Sequence, residues 1–178
     1  MDFVICDLEF TIWSMRKIVL IAHNLRSTHN VGSLLRTAEG LGVAYVYLTG
    51  YTPFPLAKND PRLPHLANKI NKQIAKTALG AERLASWNHF ENIKDVITKL
   101  KNDGFTICAL EQTSGSIELP SYKVPAKIAI IVGREVEGIE PEVLDLCDKT
   151  LEIPMFGQKE SFNVVQAAAM ALFHCRFF

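Results

Sequence analysis

The sequence predicts an α/β fold: a mostly parallel sheet with helices on both faces. Three observations carry this. Residues 18–22, 44–48 and 128–132 are short continuous apolar runs, the character of strands that have no solvated face. Helical patterns lie between such runs, and strands alternating with helices build β-α-β units. Polar segments bearing glycine then follow the runs, where the carboxyl ends of parallel strands open on ligands.

Taken in order, residues 18–22 form the first strand. Asn30 is then the N-cap of a helix whose inward residues Leu34, Ala38 and Leu41 recur at helical spacing, with Gly42 as its stop. Residues 44–48 complete a β-α-β unit. Prolines at 53, 55, 61 and 64, with Asn59-Asp60 among them, make residues 50–66 a long loop, and a loop of that length is a candidate substrate-facing flap. Residues 67–79 and 91–101 read as amphipathic helices, and 105–110 and 128–132 as buried strands. Residues 141–147 read as a short helix opened by Pro141, and 150–153 as another strand. The final run, 164–173, is helical with almost no polar face, so it is buried all round or covered by another subunit.

At 178 residues the chain fits a single domain. Residues 1–17 carry Asp2, Asp7 and Glu9 without the basic start of a secretory signal, and are expected to be an N-terminal extension to a domain spanning 18–178. No apolar run approaches the roughly 18–20 residues of a membrane span. Cys6, Cys108, Cys147 and Cys175 are far apart and lack zinc spacing, as expected of reduced thiols in a cytoplasmic protein. With 19 basic and 19 acidic residues the chain is neutral, so any nucleic-acid affinity must be local. Candidate patches are Arg16-Lys17 with Arg26, and Lys58, Arg62, Lys69, Lys72 and Lys76, each of which also reads as an ordinary solvated face.

Three segments carry residues suited to chemistry. The first runs from Asn24 to Ala38, a polar loop ending at a helix N-terminus, where free N–H groups favour an anion. Alone, its Asn30 is a plain cap and its Arg36 a surface arginine. In the second, Gly133-Arg134-Glu135 leaves a buried strand, the glycine permitting close approach of a ligand to the backbone. No Lys-Ser or Lys-Thr follows Gly138, so this is not a P-loop, and no G-x-G-x-x-G occurs. The third joins Ile153-Pro154-Met155 and Gly157 to Ser161-Phe162-Asn163 and the final helix. Asn163 with Gln166 also reads as a capping box. The five histidines are scattered and no G-x-S-x-G elbow is present, so neither a metal site nor a serine hydrolase is expected.

In order and spacing these segments resemble the three motifs of the SpoU (TrmH) family of RNA 2′-O-ribose methyltransferases, within the SPOUT superfamily. The first motif matches at Asn30, Val31-Gly32-Ser33 and Arg36-Thr37-Ala38. The second matches at Val132-Gly133, Glu135 and Gly138, and the third at Ile153-Pro154-Met155, Gly157, Ser161 and Asn163. The resemblance spans residues 18–176. It implies a carboxyl-terminal trefoil knot, a homodimer with the last helix at the interface, S-adenosylmethionine as co-substrate without a metal, and tRNA or rRNA as partner. Carried over residue by residue, it assigns catalysis to Arg36, Asn30, Glu135, Ser161 and Asn163. It assigns cofactor contacts to Leu110, Thr113, Gly133, Ile153, Met155, Ser161 and Phe162. Two positions depart from the family pattern: Arg134 stands where asparagine is usual, and Phe162 where leucine is usual. Alternative readings are a base methyltransferase and a non-catalytic RNA-binding or assembly module, although the five catalytic positions are all filled.

Overall fold

The computed structural model describes residues 16–135 and 137–178. The apolar runs pair as strands with two covered faces must. β1 (Lys17–His23) lies between β2 (Tyr45–Thr49) and β6 (Lys127–Val132), with Ile21 opposite Tyr47 on one side and Ile131 on the other. With β3 (Trp87–Phe90), β4 (Thr106–Leu110), β5 (Ile117–Glu118) and β7 (Lys149–Glu152), they form a seven-stranded sheet in the order β3-β2-β1-β6-β4-β7-β5. All its pairings are parallel.

Because side chains alternate along a strand, each run feeds two cores. On one face Ile18, Leu20, Ile128 and Ile130 meet α1 (Thr28–Gly40), α2 (Pro64–Ala78) and α6 (Val164–Phe177). On the other, Val19, Ile21, Ala129 and Ile131 meet α4 (Ile93–Asn102) and Val143 of α5 (Pro141–Leu144). A short α3 (Ala81–Leu84) precedes β3. None of the helices among the described residues is long and apolar enough to cross a membrane.

Several boundaries differ from the sequence expectation, each for a physical reason. Ser27, not Asn30, caps α1: its hydroxyl accepts from the amide of Asn30, which places Asn30 inside the first turn. Leu34 and Ala38 are buried as expected, while Leu41 is the C-cap. α2 begins at Pro64, whose fixed φ suits a first helical position, so the loop ends three residues before the expected 66. β1 begins at Lys17, inside the expected extension, and Arg16 bonds to the backbone of Cys175 and Phe178; residues 1–15 lie outside those described. β3 and β5, at the two edges of the sheet, have no counterpart among the expected strands, because edge strands need neither a long run nor two apolar faces.

Two close fits matter later. At Gly32 a Cβ would sit 2.2 Å from Oγ1 of Thr77 and 2.3 Å from the carbonyl oxygen of Ile74, so α1 and α2 touch backbone to backbone. α6 buries Ala168, Ala171, Leu172 and Cys175 on one face only. Its far end leaves Phe173 and Phe178 exposed, so within one chain the helix is not buried all round.

Candidate cofactor and substrate site

β6, β4 and β7 are neighbours in the sheet, so the loops that leave their carboxyl ends share one edge of the molecule. With the start of α6 they enclose a cavity of about 550 Å³, within the range usual for small-molecule sites. Of the residues expected to hold a cofactor, Leu110, Gly133, Ile153, Met155, Ser161 and Phe162 line it, joined by Glu135 and Asn163 from the expected catalytic set. Segments separated by more than forty residues in sequence meet here because of strand order.

The loops are tied by one carboxylate. Glu111, first residue beyond β4, accepts from its neighbour Gln112 N at 3.0 Å through Oε1 and from Ile139 N at 3.0 Å through Oε2. Gly138 makes this possible: its φ is +69°, and a Cβ there would fall 2.3 Å from Glu111 Oε2. Gly133 is equally confined, since a Cβ would lie 2.6 Å from Cγ1 of Ile139. Arg134 turns along its own loop, where Nε donates to Gly138 O at 3.3 Å and the guanidinium stands 3.6 Å from Glu140 Oε1. On the α6 side, Asn163 caps the helix by accepting from Val165 N at 2.9 Å.

The lining carries Glu111, Glu135, Glu152 and Glu160 against Arg134, a surplus of negative charge suited to a cationic ligand. Glu111, Gln112, Glu152 and Glu160 line the cavity without being among the residues that the family motifs assign to the site. Their signal was position alone: Glu111 and Gln112 follow one buried strand and Glu152 closes another.

Three expected residues lie elsewhere. Asn30 is outside the lining but reaches it by donating from Nδ2 to Glu135 Oε1 at 2.8 Å. Arg36 is exposed on α1 and outside the lining; six residues apart on a helix, it and Asn30 point roughly 120° apart. Thr113 is also outside the lining and is occupied locally, its amide donating to Ser116 Oγ at 2.8 Å.

Beneath the loop following β6 lies a polar support. Asn24, at φ +55°, donates from Nδ2 to Glu140 Oε1 at 2.8 Å and accepts from Tyr51 N at 3.2 Å. His23 bonds through Nδ1 to Thr49 Oγ1 at 2.8 Å, and its Nε2 is 3.4 Å from Glu140 Oε2. Burial pushes the His23 pKa below its ordinary value, with Glu140 opposing and Arg134 adding to the shift.

Residues 17–173 match the family model described as the SpoU rRNA methylase family. The chain belongs to that family. Among its relatives in the SpoU family, a tRNA (guanosine(18)-2′-O)-methyltransferase of Aquifex aeolicus is 27% identical over 164 residues, covering 90% of this chain and 69% of that protein. A 23S rRNA (guanosine-2′-O-)-methyltransferase of Neisseria meningitidis is 30% identical over 159 residues, covering 89% of this chain and 58% of the relative. Among solved structures, an AdoMet-bound rRNA methyltransferase from Sinorhizobium meliloti superposes with a TM-score of 0.75 at 19% identity, over 93% of this chain and 59% of that one. The A. aeolicus TrmH/SpoU tRNA-modifying enzyme gives 0.73 at 22% identity, over 96% and 80%. The SpoU chain described here therefore shares their fold, and spans about three fifths to two thirds of the length of the two curated relatives.

Proposed function

We infer that this SpoU domain is an S-adenosylmethionine-dependent RNA 2′-O-methyltransferase acting on tRNA or rRNA. The observation that carries it is the cavity, where residues from the second and third motifs meet under a surplus of carboxylates and Asn30 of the first motif is tied in through Glu135. The residues present fit the co-substrate. Gly133 and Gly138 keep the backbone bare, Leu110, Ile153 and Met155 offer apolar contact, and the carboxylates favour a cation. When bound, S-adenosylmethionine would supply the electrophilic sulfonium methyl for in-line attack by a ribose 2′-hydroxyl, with S-adenosylhomocysteine as the leaving group.

The chain's part is positioning, which can supply most of the advantage in such a step. Asn30 fixes Glu135, which orients the mouth of the cavity; Asn163 holds the turn that presents Ser161 and Phe162. Arg36, exposed on α1, meets the nucleotide rather than the cofactor. A guanidinium keeps its proton, so Arg36 orients the ribose and assists loss of the hydroxyl proton without itself being the base.

The same proposal includes the family's trefoil knot and homodimer. Supporting the knot, the segment after β7 lines the cavity beside the loops after β4 and β6. Supporting the dimer, Phe173, Phe177 and Phe178 form a partly exposed apolar cluster at the end of α6, which a second copy would cover.

The test is incubation of the purified protein with methyl-labelled S-adenosylmethionine and total RNA from a strain lacking its gene, followed by alkaline hydrolysis. Methylating the 2′-hydroxyl removes the nucleophile that alkali uses, so label is expected in an alkali-resistant dinucleotide. Label in a mononucleotide base would indicate base methylation, and no incorporation into any RNA would refute the proposal.

A further inference from the structure

A second cavity, of about 410 Å³, is unused by the reaction above. Its wall is built from the loop between β2 and α2, the segment expected to be a flap. Arg62 lies 3.6 Å above the centre of the Phe54 ring, and the His89 imidazole stacks on that ring at 4.2 Å between centroids. Two planar groups that close cannot share one face, so both faces of Phe54 are covered. The stack is pinned: Arg62 donates to Phe54 O at 2.9 Å, Pro55 O at 3.0 Å and Asp60 Oδ1 at 2.8 Å. His89 donates from Nε2 to Gly50 O at 2.8 Å. Hydrogen bonding from Arg62 holds the Asp60 carboxyl well below the usual carboxylate range, so the clamp persists at neutral pH.

Two lining residues are held only at the surface. Tyr51 is 53% exposed and its hydroxyl accepts from the Arg26 guanidinium, which also stands 2.9 Å from Glu137 Oε1. Glu137 adjoins Gly138, which lines the first cavity, so this ion pair marks the border between the two. The second lining carries Arg26, Arg62 and His89 and no carboxylate, the opposite charge balance from the first.

We propose that this cavity is a subsite for an RNA nucleotide flanking the one that is methylated, with its base stacked on Tyr51 and its phosphate held by Arg26. The assignment rests on the RNA methyltransferase reading and deepens it. A preformed aromatic wall leaves little to order on binding beyond Tyr51 and Arg26. Stacking accepts any base, because every base has a π face. An exposed ion pair is weak, so Arg26 exchanges Glu137 for a phosphate, which it can grip with two parallel N–H groups, at little cost. In a chain of zero net charge, affinity for a polyanion must come from such local sites.

The test uses two fluorescein-labelled single-stranded RNAs of equal length and charge, one of mixed sequence and one abasic. Their affinities are read by anisotropy for wild type, Tyr51→Ala and Tyr51→Phe. Wild type is expected to prefer the base-bearing RNA by roughly ten-fold, as one stacked base would give. Tyr51→Ala is expected to lose that preference and Tyr51→Phe to keep it. A Tyr51→Ala protein with the wild-type preference, or a wild type with none, overturns the subsite. Methyl transfer by wild type, measured separately, distinguishes this failure from failure of the enzyme reading itself. Preference for a free mononucleotide or an aromatic peptide over both RNAs also overturns the subsite.

Discussion

Replacing Gly32 by alanine sets two well-understood effects against each other in one helix. Alanine is favoured over glycine in a helix interior by about 1 kcal/mol. The added methyl would, however, lie 2.2 Å from Thr77 Oγ1 and 2.3 Å from the carbonyl oxygen of Ile74. Thr77 can turn away only by giving up its 2.8 Å bond to His29 O, and the Ile74 oxygen belongs to the backbone of α2 and cannot rotate. The helices must therefore part by roughly 1 Å to restore ordinary contact at about 3.5 Å. That loosens Val31, Leu35, Ile74 and Ala78, all fully or nearly fully buried. Overpacking costs about 1–3 kcal/mol, and a backbone obstacle belongs at the upper end, so the net loss is about 2 kcal/mol. For a chain of this size that lowers Tm by roughly 4–8 °C. Urea unfolding followed by far-ultraviolet circular dichroism measures it, with Gly40→Ala as comparison: nothing lies within 4 Å of a Cβ at Gly40, and that variant is expected to be neutral or slightly stabilised. A Gly32→Ala protein that unfolds at or above the wild-type urea midpoint would refute the reasoning.

Other expectations follow from the site. Arg36→Ala should abolish methyl transfer while leaving S-adenosylmethionine affinity by calorimetry nearly unchanged, because Arg36 is outside the cavity lining; retained transfer would remove it from the mechanism. Asn163→Ala should cost about 1 kcal/mol of stability through loss of the α6 cap, and should weaken cofactor binding as the turn relaxes. An unchanged affinity would show that the turn holds without its cap. Stability should also fall in mild acid. The buried His23 imidazole has a folded pKa below 6.5, so between that value and 6.5 the unfolded chain binds more protons; its contribution is full above 6.5 and is lost as pH drops through the folded value. Glu140, whose burial is outweighed by bonds from its own backbone amide and Asn24 and by the charges of His23 and Arg134, is held below 4.5 and adds a loss only under that. Urea midpoints for wild type and His23→Gln should therefore converge as pH falls below about 6.5, and a constant gap would refute the assignment.

Much of the fold was legible because burial on both faces leaves a plain mark. Runs such as Ile-Ala-Ile-Ile at 128–131 have no polar alternation to explain, so β1, β2, β4 and β6 were placed within a residue or two. β3 escaped notice because Trp87-Asn88-His89-Phe90 is a half-buried edge, and β5 because two residues make no pattern. Asn30 looked like a cap because its residue type suits one, but Ser27 stands three residues earlier and takes the role, releasing Asn30 to bind Glu135. No sequence rule distinguishes these, since both side chains can cap and the choice depends on where Glu135 lies.

By itself the sequence determined the strand–helix alternation, the glycines where backbone must come close, and the motif residues of the SpoU family. Those are local properties: hydrophobic period, side-chain size and residue type at fixed spacing. Only the tertiary structure decided that Glu111 clamps the loop ending at Ile139, that Gly32 serves the contact between α1 and α2, and that Arg36 and Thr113 stand outside the cavity while Glu152 and Glu160 line it. These depend on strand order and helix rotation, which bring together residues distant in sequence and leave no periodic trace in the chain.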